Sequence, residues 1–146
     1  MNMTHAIAAA GILSLALAAI HIPGIWQLVF PNWEKETAGM SLVNRKALTT
    51  VLIALTLSLL IFAVTSLLYA EEMARAEGLA AGITIAYSLF WLWRALWQMF
   101  YFVPSKLALT RTGHDRRLLR LHYSLIVIFI ALFTTYLLPV ALPMMR

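Results

Sequence analysis

Long apolar runs separated by short polar connections organise this chain. Four runs stand out: Ala6 to Phe30, Ala47 to Ala70, Leu79 to Val103 and Leu121 to Leu142. Each is longer than the roughly 20 residues that span a hydrocarbon core of about 30 Å. A segment in lipid must satisfy its own backbone N–H and C=O groups, so each run predicts a helix. Barrel strands would be about half as long and would alternate in polarity, and these runs do neither. The pattern predicts an all-α integral membrane protein, a four-transmembrane-helix bundle. It forms a single domain over 1–146, with helices near 6–30, 46–70, 79–103 and 117–142. The small residues Ala16, Ala18 and Ala19 give the first run some likeness to a signal peptide. No Lys or Arg precedes it, however, and it is read as a retained helix.

The connections carry helix-end signals. Pro31-Asn32 reads as a turn, Ser41 as the N-cap of the second helix, Thr112-Gly113 as a turn, and Asp115 as the N-cap of the fourth. The acidic connection with Glu71, Glu72 and Glu77 is short enough to make helices two and three antiparallel neighbours. Two ladders of small residues at four-residue spacing, Ala6-Ala10-Ser14-Ala18 and Gly78-Gly82-Ala86, predict close helix contacts. Such contacts serve packing within one chain or a homodimer.

Composition sharpens this picture. The chain is 62% hydrophobic and 12% charged, where a soluble domain carries about 25% charged residues. The mean hydropathy is +0.84, so lipid is the expected solvent for most of the surface. No cysteine is present, which excludes disulfides, thiolate catalysis, iron–sulfur clusters and Cys-based zinc sites. The net charge of +5 does not imply nucleic acid, because the basic residues cluster beside the apolar runs. Lys35, Arg45, Lys46, Lys106, Arg111, Arg116, Arg117 and Arg120 fall in the first and third connections. The second connection and the tails hold only Arg75 and Arg146. The positive-inside rule then puts connections one and three in the cytoplasm, facing anionic lipid, and both termini on the outer face. The expected location is a plasma membrane of the bacterial inner-membrane type.

One residue breaks the apolar pattern most sharply. Arg94 stands inside the third run, and Tyr87, Trp91, Gln98 and Tyr101 share its helical spacing. A guanidinium there is costly unless it meets protein, water or an anion. By helical rise, Arg94 and His21 both lie about 14 Å from the cytoplasmic ends of their runs. His21 shares a face with Ser14 and Ala18, and Pro23 and Gly24 follow it, where a kink would widen a cavity. His122, Phe129 and Tyr136 form a heptad line on the fourth helix. No Asp or Glu lies inside a predicted helix, so an external carboxylate, phosphate or haem propionate would complete the Arg94 site.

The expected pocket is lined by His21, Arg94, Gln98 and Tyr101, with His122 and Arg45 at its cytoplasmic mouth. Trp91 is placed to cover Arg94 through a cation–π contact. His21 is also a candidate haem axial ligand. Each residue has a plainer role to set beside this. Arg94 would pair with carbonyls and a Tyr hydroxyl, His21 would be a core imidazole, and His122 would be solvated by headgroups. Gln98 would bond a neighbouring helix, and Trp26, Trp33, Trp91, Trp93 and Trp97 would belong to an interfacial belt. The primary reading is a membrane protein that binds an anionic amphiphile or a haem- or quinone-type cofactor. The alternatives are an accessory or assembly subunit of a membrane complex, a small transporter of an anion, and a lipid-modifying enzyme using His21 as base. The residues do not decide whether any reaction is catalysed.

Overall fold

The structure is a computed structural model that describes residues 2–22, 25, 32–102 and 113–144. The described residues form the helices α1 (Met3–Ile20), α2 (Trp33–Ala38), α3 (Leu42–Leu68), α4 (Ala70–Arg75), α5 (Gly78–Phe100) and α6 (Gly113–Met144). Four of these, α1, α3, α5 and the Arg116–Pro143 part of α6, are long and apolar enough to cross a membrane. The all-helical polytopic architecture expected from the runs is therefore present. Large apolar side chains such as Val43, Leu68, Leu79 and Val127 are exposed along these helices. That surface is suited to acyl chains, which are as apolar as the side chains themselves.

Helix ends follow local chemistry. The described part of α1 stops at Ile20 rather than running to Phe30. Its closing bonds tighten to the i−3 type, His21 N–H to Ala18 O at 3.0 Å and Ile22 N–H to Ala19 O at 3.2 Å. Pro23 disfavours helical backbone at the residue before it. The expected Pro23–Gly24 kink, the Pro31 turn residue, Trp26, Lys106 and Arg111 lie outside the described residues. Ser41 caps α3 as expected, its Oγ accepting from Asn44 N–H at 3.3 Å. Asp115 is not a cap. Helical backbone already runs from Gly113, so Asp115 lies inside α6. The acidic connection holds the short helix α4, with an exposed Glu71–Arg75 ion pair at 3.4 Å. Left-handed backbone at Ala76 and Gly78 (φ of 51° and 52°) separates α4 from α5.

The chain divides into two compact units, His5–Ala70 and Glu71–Arg146 with Met1–Thr4. In the first, α1 meets α3 at very close range. A Cβ on Gly11 would lie 3.1 Å from Ala63 O, Ser66 Cβ and Leu67 Cγ. Ala10, Ser14 and Ala18 of the first small-residue ladder are buried, and Ser14 returns its hydroxyl to Ala10 O at 2.8 Å. In the second unit, α5 packs along α6. The second ladder makes no such contact among the described residues. Gly78, Gly82 and Ala86 are exposed, and a Cβ at either glycine would meet nothing within 4 Å. The bulkier face of α5 takes the packed position instead.

Candidate functional site

On α5 the buried residues Thr84, Ser88, Trp91, Ala95 and Gln98 are spaced alternately four and three apart. On α6, His122, Phe129, Leu132 and Tyr136 are buried with the same period. A 3.5-residue repeat keeps one stripe of each helix on its partner, so the two stripes form a coiled-coil-like seam. Its rungs pair rising numbers on α5 with falling numbers on α6, as antiparallel helices must. Tyr87 meets Tyr136 edge-on at 5.5 Å. Trp91 stacks on Phe129 at 5.6 Å. Gln98 Nε2 lies 2.9 Å from His122 Nδ1.

Arg94 reaches this seam from its edge. Its side chain is half-buried, with Cζ 5.1 Å from the Phe129 ring centroid and 5.9 Å from that of Trp93. The expected cover by Trp91 is thus replaced. Trp91 turns into the seam and stacks on Phe129, while Trp93, assigned to the interfacial belt, supplies one of the two ring contacts. Contacts near the 6 Å limit contribute about 0.5–1 kcal/mol each. A guanidinium deep in a transmembrane helix costs about 2.5–3.5 kcal/mol. Ring faces therefore offset only part of that cost, and they leave the five N–H donors poorly satisfied. Among the described residues no carboxylate pairs with Arg94.

The Gln98–His122 pair lies one helical turn from Arg94. Its members are 7% and 8% exposed, so headgroup solvation of His122, as its position near the run's end suggested, does not occur. As oriented, the Gln98 amide donates to Nδ1, and the neutral imidazole then carries its proton on Nε2. The signal for this pair was present in the heptad line through His122 and the seven-residue step from Trp91 to Gln98.

The remaining candidates sit elsewhere. Tyr101 is exposed at the end of α5, stacked on Trp97 at 4.5 Å, and Trp97 lies 5.7 Å from Trp93. These three rings form an outward staircase beside Arg94. His21 and Arg45 belong to the other unit. His21 Nδ1 lies 2.7 Å from Leu17 O. A carbonyl only accepts, so Nδ1 carries a proton there. Arg45 is exposed and donates to Ala38 O at 3.3 Å. No group of three or more His, Asp or Glu side chains with metal-binding spacing occurs among the described residues. The two helices thus set Trp91 and the Arg94 guanidinium against Phe129 and pair Gln98 with His122, seven residues earlier on α6. In comparisons with known proteins the chain matches no family model, no curated protein and no solved structure.

Proposed function

We propose that this polytopic membrane protein binds the acidic head of an amphiphile at Arg94, on the cytoplasmic half of the α5–α6 hairpin. The observation that carries this reading is a half-buried guanidinium held against Phe129 and Trp93, with no carboxylate partner among the described residues. A phosphate or carboxylate would take two of its N–H groups in a fork. The side assignment follows from the basic first and third connections. The flanking aromatic staircase would lie along the apolar part of such a ligand.

The test is the ligand that co-purifies with the full chain. Arg94→Leu should lower the bound anionic amphiphile, measured by mass spectrometry of the detergent-purified protein, by about tenfold or more, the loss of one charge-assisted pair. Arg94→Lys keeps the charge but not the fork, and should recover only part of the occupancy. A Soret band in the wild-type protein would identify the acid as a haem propionate. Full occupancy in Arg94→Leu, together with higher thermal stability, would remove the basis for the proposal.

A further inference from the structure

A second candidate site lies on the outer face of α6. Arg116, Leu119, Arg120, Tyr123 and Ser124 line a shallow groove along this one helix. Arg116 and Arg120 are exposed, and among the described residues neither is ion-paired. Like charges four residues apart repel, so the helix itself gains nothing from their pairing. The same face continues through Tyr123, Val127 and Ile130, all exposed. Read along the helix, the stripe is cation, cation, phenol, then apolar side chains. From Arg116 to Ile130 it runs about 21 Å at helical rise. Tyr123 is steadied where the stripe changes character, its ring edge-on to buried His122 at 5.1 Å.

We infer that this stripe binds one anionic phospholipid. The phosphate is held by Arg116 and Arg120, the Tyr123 and Ser124 hydroxyls lie at the glycerol level, and an acyl chain lies along Val127 and Ile130. The occupant is a lipid rather than a free anion because the cations open directly onto an apolar track of acyl-chain dimensions. The assignment stands apart from the Arg94 reading and uses none of its residues.

Native mass spectrometry of the full chain in detergent, titrated with phosphatidylglycerol and with phosphatidylcholine, tests it. The variant Arg116→Gln/Arg120→Gln removes two charges from the stripe. The control Arg117→Gln/Lys46→Gln removes two exposed charges that do not line it. At about fivefold per basic residue near an anionic headgroup, the stripe variant should bind phosphatidylglycerol about 30-fold more weakly, and the control within about twofold of wild type. Arg116→Lys/Arg120→Lys should fall between wild type and the Gln variant. Equal losses in the stripe variant and the control would show a diffuse charge effect and overturn the site. Equal binding of phosphatidylcholine, or displacement of the lipid by inorganic phosphate at comparable concentration, would overturn the anionic-lipid assignment.

Discussion

A buried amide facing a buried imidazole is stable only while each supplies what the other lacks. Gln98 donates and His122 accepts across 2.9 Å, and both are screened from solvent. Hydrogen bonds between membrane helices are modest, averaging about 0.6 kcal/mol with an upper range near 1.7 kcal/mol. Gln98→Leu should therefore destabilise the protein by about 1–2 kcal/mol, because it also strands the imidazole nitrogen. Gln98→Leu/His122→Leu should recover most of that loss, since two apolar groups of similar size leave nothing unsatisfied. Unfolding of the two single variants and the double variant by SDS titration in mixed micelles gives the coupling energy directly, and additive losses would deny the pair. At this scale the sequence exposed the polar face of α5 but not its partners. The spacing of Trp91, Arg94 and Gln98 marks a face. Whether Trp91 or Trp93 covers the guanidinium depends on rotamers chosen by Phe129, a residue 35 positions further along the chain.

At the scale of elements, two ladders of small residues look alike in sequence and behave differently in the fold. Gly11 beside the first ladder has little room for a side chain, because backbone and side-chain atoms of α3 stand 3.1 Å from where a Cβ would lie. Gly11→Leu should cost about 1–3 kcal/mol, the usual penalty for overpacking. Gly82 has open space around it, and Gly82→Ala should stabilise α5 by up to about 1 kcal/mol through helix propensity alone. SDS unfolding midpoints that move in opposite directions would bear out both, and a shared direction would contradict the contrast. The four spanning helices and the Ser41 cap were legible because they follow from local rules, apolar length and a hydroxyl before a helix. The choice between ladders was not, because small residues permit close approach without requiring it. On α5 the aromatic seam buries more surface and takes the contact. The start of α6 was misplaced for a related reason: Asp is favoured both as a cap and within the first turn, and spacing alone does not separate the two.

At the scale of the whole molecule, the expectation with most consequence is which ends of the helices face the cytoplasm, because it sets the side from which Arg94 and the α6 stripe would meet the proposed ligands. Basic residues crowd the first and third connections, and positive charge resists translocation, so the second connection and the N-terminus should lie outside. The absence of cysteine makes this directly measurable, since a single introduced thiol is the only one in the chain. Asn2→Cys and Glu72→Cys, both at exposed positions, should react with a membrane-impermeant maleimide in intact spheroplasts of a bacterial host. Gly39→Cys is also exposed, and a Cβ there meets nothing within 4 Å, so the substitution leaves packing unchanged. It should react only after the membrane is permeabilised. These substitutions leave every Lys and Arg in place, so they do not alter the charge bias under test. Labelling of Gly39→Cys in intact spheroplasts, with protection of Asn2→Cys and Glu72→Cys, would invert the topology. It would also move the Arg94 site to the outer half of the membrane, where an amphiphile would have to arrive from the opposite leaflet.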